Sequence, residues 1–195
     1  DEMISKISCI LISAPFEDHF HEKSLKRFDP STFVLTSKPS EKKLRKLGFN
    51  NIEVLKAGIQ KNIGDLTIKA HDAGFPYNYL WTFSFEIIQG EKVLYFESHV
   101  DKPSRIKQND LKADCAILTT EEVKILGLLP LSNSSETTLE ILKELECKNI
   151  MIQGSDPAET KGLISYFLKI GKENLGVFKS NNINVYKDPG SEVII

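Results

Sequence analysis

The chain has 195 residues, with 25 Lys and Arg against 27 Asp and Glu, which gives a formal net charge of −2. Apolar residues make up 41% and charged residues 27% of the chain, as in ordinary globular proteins. This composition excludes collagen-like, coiled-coil and wholly disordered chains. The near-neutral charge argues against a dedicated nucleic-acid binder, and the length suits one domain over residues 1–195.

The sequence gives no sign of a membrane or of a disulfide framework. No apolar run approaches the roughly 18 residues of a membrane span, and residues 4–12 are too short and too polar for a signal peptide. The three cysteines, Cys9, Cys115 and Cys147, are far apart and form no CxxC pair. We therefore expect a cytoplasmic protein that contacts neither membrane nor nucleic acid.

Short apolar runs predict most of the strands, and helical spacing appears between them. The predicted strands are residues 7–12, 33–36, 52–55, 66–70, 81–87, 93–96, 113–118 and 149–152. Turns are expected at 61–65 and 89–92. Helices are expected at 37–47 with Ser40 as N-cap, at 134–145 with Ser135 as N-cap, and at 159–169. Strands and helices alternate in the second half, which favours an α/β fold.

All four histidines lie in the first half of the chain, each near the end of a predicted strand. They are His19, His21, His71 and His99. Functional side chains gather in the loops at strand ends of layered α/β proteins, so the four imidazoles are candidates for a shared site. Four unrelated surface or core histidines remain the alternative.

The segment after the first strand reads Ser13-Ala14-Pro15-Phe16-Glu17-Asp18-His19. It resembles the metal-binding motif of the metallo-β-lactamase fold superfamily, in which a strand is followed by Ser/Thr-His-x-His-x-Asp-His and a helix. Asp18 and His19 match the closing pair of that motif. Ala14 and Phe16 stand where the family has its two earlier histidines.

The resemblance continues along residues 4–167, through the passages 47–58, 63–68, 93–99 and 114–118. His71 falls near the family's third histidine, and His99 falls where the bridging aspartate stands. Residues 150–154, ending at Gly154, contain no histidine at the place of the last ligand. The pattern is most similar to the lactonase-like branch and to cyanobacterial and plant relatives.

The resemblance implies an αββα sandwich whose first sheet is incomplete, because only about a dozen residues precede the motif. An incomplete sheet exposes an edge strand, and proteins usually cover or pair such edges. We therefore expect either a homodimer or a longer native protein that starts before Asp1.

The resemblance also implies a chemistry, in which zinc-class ions activate water against an ester, lactone or phosphoester. It gives Asp18 as the catalytic candidate and Asp18, His19, His71 and His99 as metal ligands. These residues suit one divalent ion (zinc, manganese or iron) in an altered site, or none. The chain is thus a candidate hydrolase of small molecules. The alternative is a non-catalytic relative that binds a small molecule or a protein partner, because three ligand positions have been lost.

Two further groups of residues each have two possible interpretations. Glu97 and Asp101 flank His99. Either they orient its imidazole or bind the metal themselves, or they are acidic loop residues exposed to solvent. The aromatic residues Phe75, Tyr77, Tyr79 and Trp81 either line a substrate pocket beside His71 or pack in a core or interface.

Overall fold

A computed structural model describes residues 4–97, 99–153, 163–188 and 190–193. The strands are β1 Cys9–Ile12, β2 Phe33–Thr36, β3 Ile52–Val54, β4 Gln60–Ile63, β5 Leu66–Asp72, β6 Phe83–Gln89, β7 Lys92–Phe96, β8 Cys115–Leu118, β9 Val123–Ile125, β10 Leu129–Ser132, β11 Asn149–Ile152, β12 Leu168–Ile170 and β13 Asn184–Tyr186. The α-helices are α1 Glu22–Leu25, α2 Lys38–Lys46, α3 Pro103–Gln108, α4 Ser135–Glu144 and α5 Gly176–Lys179. Short 3₁₀ helices span Ile4–Lys6, Tyr77–Leu80 and Leu163–Phe167.

The described strands form two main sheets and one small sheet. The first main sheet has the order β1-β2-β3, with all three strands parallel. The second has the order β13-β11-β8-β7-β6-β5-β4, parallel from β13 to β7 and antiparallel from β7 to β4. Since β5 and β7 are both antiparallel to β6, the carboxyl ends of β5, β7, β8 and β11 share one edge. The small sheet has the order β10-β9-β12.

The two main sheets pack face to face because side chains alternate along each strand. On β2, Val34 packs with Leu44 of α2 on the outer face of the first sheet. The next residue, Leu35, packs with Ile68 and Phe85 of the second sheet. β2 therefore contributes to two apolar cores. One lies between the two sheets, and the other lies between the first sheet and its helices.

The fourth layer covers the outer face of the second sheet. Its buried side chains come from three helices and three strands: Ile106 of α3, Leu139, Ile141 and Leu142 of α4, Phe178 of α5, Tyr95 of β7, Ala116 and Leu118 of β8, and Ile150 of β11. The order of layers is thus helices, sheet, sheet, helices. This arrangement confirms the expected α/β class and the αββα sandwich. No helix in the described ranges is long and apolar enough to cross a membrane.

Several local expectations were wrong. Residues 61–65, predicted as a turn, begin in β4, an edge strand whose polar residues conceal its pattern. Of the helix predicted at 159–169, residues 159–162 lie outside the described part, and the rest is a 3₁₀ turn followed by β12, which pairs with β9. The caps shift as well: Ser37 precedes α2, and Ser134 caps α4 by accepting a hydrogen bond from the Thr137 N–H at 3.2 Å.

A buried ionic network joins the second sheet to α3. Arg105 donates from Nε and Nη2 to the carboxylate of Asp101, at 2.6 and 2.5 Å, and Tyr95 donates its hydroxyl to the same carboxylate at 2.5 Å. The guanidinium also donates to Ser84 Oγ at 3.1 Å and to the Asp72 carbonyl at 3.0 Å. Asp101 is buried, so each of its charge-assisted bonds offsets part of the desolvation cost.

We expect Asp101→Asn to lower the free energy of unfolding by about 3 kcal/mol, because it leaves the Arg105 charge buried without its counter-ion. The matched control is Glu41→Gln on α2, which breaks an exposed pair of the same spacing with Arg45 and should cost less than about 1 kcal/mol. Urea unfolding of the two variants measures the difference. Equal losses would contradict a structural role for the buried network.

Candidate metal centre

The loop after β1 brings Asp18 and His19 to the edge at which β7 ends. It begins at Ser13, whose carbonyl accepts a hydrogen bond from the Phe83 N–H at 3.1 Å and so ties the first sheet to the second. A tight turn follows, in which Phe16 accepts from the backbone N–H of His19 at 3.0 Å. His99 lies just beyond β7 and faces this turn.

Three ligand-type side chains meet here. The Nε2 atoms of His19 and His99 are 3.1 Å apart, and Asp18 Oδ2 lies 3.3 Å from His19 Nε2. One ligand atom from each residue lies within 4.8 Å of the other two. His99 is 6% exposed, whereas the Asp18 side chain is 69% exposed, so Asp18 marks the side that is open to solvent.

Neighbouring polar groups hold both imidazoles. Ser13 Oγ lies 3.1 Å from His19 Nδ1, so this hydroxyl would accept from Nδ1–H in the tautomer whose Nε2 is free to bind an ion. Glu97 Oε1 accepts from the His99 backbone N–H at 2.9 Å and lies 4.0 Å from Nδ1 of the same residue. Thr119 donates its hydroxyl to the His99 carbonyl at 3.1 Å. These two hydrogen bonds fix the backbone of His99, and Glu97 also lies close to its ring.

Aromatic rings close the buried side of the centre. The Tyr77 ring lies 4.0 Å, centroid to centroid, from the His99 imidazole, and Phe16 meets the same imidazole edge-on at 5.9 Å. Tyr77 is held by its hydroxyl, which donates to the Leu131 carbonyl at 3.1 Å. Ala14 is fully buried. Two positions at which the resemblance expects imidazoles thus carry apolar side chains.

Burial and neighbouring charges set the protonation states. The pKa of His99 is lowered to about 4, chiefly by burial and also by the adjacent His19, while the Asp18 carboxylate acts in the opposite direction. The hydrogen bond with His19 lowers the pKa of Asp18 despite its partial burial. At neutral pH the centre therefore offers a neutral imidazole on His99 and an ionised carboxylate on Asp18.

The other predicted residues lie elsewhere. His71 lies on β5, and its Nε2 is 2.8 Å from Glu86 Oε2 on β6. Its side chain faces away from Ala70, which packs between the sheets. His21 is exposed and contacts Ser24. The ligand group thus contains three of the four predicted metal ligands, with His71 outside it, and Gly154 lies outside the described residues.

Two supporting residues, Ser13 and Thr119, were missed by sequence reasoning. Each directly follows a strand at its carboxyl end, β1 for Ser13 and β8 for Thr119. That position was the available signal, since the loops at this edge carry the centre. Of the open interpretations, Glu97 contacts His99, whereas Asp101 belongs to the buried network with Arg105.

Comparison by sequence finds no matching protein family and no matching curated protein. Solved structures do match. An isothiocyanate hydrolase from Delia radicum gut bacteria is 17% identical with a TM-score of 0.73, over 100% of this chain and 78% of that chain. A metallo-β-lactamase fold protein from Bacillus subtilis is 12% identical with a TM-score of 0.62, over 93% of this chain and 75% of that chain.

A diiron β-hydroxylase from Streptomyces venezuelae is 17% identical with a TM-score of 0.60, over 74% of this chain. This chain spans about a third of that protein, since the match covers 35% of it. Together these likenesses show that the chain has the metallo-β-lactamase fold, which confirms the expectation drawn from the motif order.

We expect the metal-free protein to lose stability as the pH falls from about 6.5 to about 4. In that range the unfolded chain binds a proton at His99 and the native chain does not, so the free energy of unfolding falls by about 3 kcal/mol. Urea unfolding of chelator-treated protein across this range measures the effect. His99→Gln should remove this contribution and the exposed control His21→Gln should keep it; identical profiles would refute the assignment.

Proposed function

We propose that this chain is a metal-dependent hydrolase that holds one divalent cation between Asp18, His19 and His99. The observation that carries the proposal is the spacing of the three donor atoms. Two ligands at about 2.1 Å on a tetrahedral ion lie roughly 3.4 Å from each other. The separations of 3.1 Å between the imidazoles and 3.3 Å between Asp18 and His19 are close to that value, and the atoms of all three residues lie within 4.8 Å of one another.

The donor chemistry supports the same proposal. Two imidazole nitrogens and one carboxylate oxygen are ligands used by zinc and iron sites, and manganese also takes carboxylate. Ser13 Oγ lies within hydrogen-bond distance of a ring nitrogen of His19, as the outer contacts of metal-bound histidines do, and Glu97 Oε1 lies 4.0 Å from Nδ1 of His99. Ala14 and Phe16 offer no ligand atoms, which limits the proposal to a single ion.

The chain's own residues fit hydrolysis of a small ester, lactone or phosphoester. A divalent cation at this place supplies Lewis acidity, which polarises the bond under attack and makes water more acidic. Asp18 is ionised and lies on the open side, so its carboxylate can accept a proton from the attacking water. Phe16 and Tyr77 keep water from the buried face of His99.

A second candidate is a non-catalytic relative that binds a small molecule or a partner. The apolar burial of Ala14 and the packing of Phe16 on His99 favour it, because the residues of a complete two-metal site have been replaced. The convergence of three donors makes the hydrolase the better supported of the two. Metal analysis separates them.

We expect protein purified without chelator to hold one zinc, manganese or iron per chain by elemental analysis. His19→Ala and His99→Ala should each abolish stoichiometric binding, because each removes one of three ligands. His71→Ala and His21→Ala are the matched controls and should leave the metal content unchanged, since these imidazoles bond to Glu86 and Ser24.

Metal addition should also raise the melting temperature of the wild type and not of His99→Ala. With metal bound, Asp18→Asn should lower kcat on p-nitrophenyl esters or phosphodiesters by about 10² or more. No stoichiometric metal, together with an unchanged melting temperature after adding zinc, manganese or iron, would refute the hydrolase and leave the non-catalytic candidate.

A further inference from the structure

A cavity of about 320 Å³ lies between the turn after β3 and the segment that joins β5 to β6. It is lined by Lys56, Ala57, Asp72, Asn78, Tyr79, Trp81 and Phe83. None of its lining residues belongs to the ligand group of the candidate metal centre.

Two large aromatic rings line this cavity while remaining open to solvent. Trp81 is 54% exposed and Tyr79 is 74% exposed, whereas Phe83 is buried beside them. Trp81 also has a φ of 56°, in the left-handed region that bulky residues rarely adopt. Strained backbone and exposed apolar rings both cost free energy, and both are found where a ligand is bound.

The same segment forms a wall of the metal centre. The Tyr77 ring packs on the His99 imidazole at an angle of 31°, and two residues further on Tyr79 lines the cavity. Gly74 holds the segment close, because a Cβ there would lie 2.3 Å from the Val100 carbonyl oxygen. The cavity and the centre are therefore neighbouring features of one loop.

Hydrogen bonds connect the cavity to the metal centre from the other side. Phe83 donates its backbone N–H to the Ser13 carbonyl at 3.1 Å, and Ser13 Oγ lies 3.1 Å from His19 Nδ1. A molecule that fills the cavity thus contacts Phe83, which is hydrogen-bonded to Ser13, the residue that supports His19 in the metal centre.

The lining specifies the chemistry of the occupant. Lys56 and Asp72 carry opposite charges, and the other lining residues are neutral, so the cavity has no net charge. The volume is at the lower end for small-molecule pockets, which are roughly 300–1,000 Å³ and mostly apolar. Such a cavity admits a flat uncharged group of one or two rings, or a short alkyl chain, and is too small for a peptide helix.

We propose that this cavity binds the uncharged aromatic or alkyl group of a small molecule. The occupant is the apolar part of a substrate whose reacting bond lies at Asp18, His19 and His99; this assignment of the occupant rests on the proposed function. The binding of an apolar group in the cavity is independent of the proposed function, because none of the three ligand residues lines the cavity.

Trp81 is the only tryptophan of the chain, so its fluorescence reports on the cavity. The probe is 1-naphthylamine, a flat uncharged molecule of two rings that accepts energy from tryptophan. We expect saturable energy transfer with one probe per chain, in chelator-treated and in zinc-loaded protein alike. Tyr79→Ala should weaken probe binding about five-fold through the loss of ring contact. Ala57→Phe, which fills the cavity, should abolish saturable binding.

The matched control is Tyr166→Ala, which removes a tyrosine that is 86% exposed and does not line the cavity. Its affinity for the probe should equal that of the wild type. Absence of saturable transfer, or equal affinities of the Tyr79→Ala and Tyr166→Ala variants, would overturn the cavity assignment. Tyr79 is so exposed that its removal should not impair folding, which circular dichroism checks.

Hydrolysis assays separate failure of the cavity from failure of the proposed function. With 1-naphthyl acetate, Tyr79→Ala should raise KM about five-fold and leave kcat unchanged, while methyl acetate should show no such change. Saturable probe binding without any metal-dependent hydrolysis would keep the cavity and refute the hydrolase. Hydrolysis of both esters with KM values unaffected by Tyr79→Ala would refute the cavity and keep the hydrolase.

Discussion

The candidate centre depends on the apolar packing of the two main sheets against each other. Leu35 on the first sheet and Phe85 on the second are fully buried between them, and burying one such side chain stabilises the fold by about 1.5–3 kcal/mol. This packing fixes the edge where β1 ends relative to the edge where β7 ends. His19 and His99, 80 positions apart in the chain, therefore meet at 3.1 Å in the loops that follow these two strands.

Polar groups, rather than apolar ones, set the path of the chain around His99. The segment is buried, so each of its polar groups needs a partner. Glu97 accepts from the His99 N–H, Thr119 donates to the His99 carbonyl, and Asp101 is held by Arg105. Because unmaking any of these bonds leaves a buried group unsatisfied, the backbone at His99 has little freedom to move, and the rings of Phe16 and Tyr77 pack against its imidazole. A ligand held in this way loses little entropy when it binds an ion.

Apolar runs in the sequence predicted most of the strands and the α/β class, and the family resemblance implied the αββα layers. The positions of His19 and His99 were predicted because the loops after buried strands share an edge. Sequence reasoning misplaced His71 for a related reason. The apolar run stops at Ala70, but β5 continues to Asp72, so His71 lies within the strand and faces Glu86. Pairing of β12 with β9 likewise overrides the helical spacing that ends at Lys169. Contacts between distant segments decided both cases, and local patterns do not contain them.

The loss of two imidazoles and the presence of the cavity have a common physical consequence. A single ion fixes one end of a small substrate and leaves its orientation free, whereas a second ion would fix the other end. In the proposed single-ion centre the opposite end would have to be held by the protein, and an apolar group buried against Tyr79 and Trp81 would gain about 25 cal/mol for each Å² removed from water. In the proposed hydrolase this contact would be made equally in the ground state and the transition state, so it would lower KM and leave kcat unchanged. The proposed cavity would therefore raise kcat/KM only for substrates that carry an apolar group away from the reacting bond.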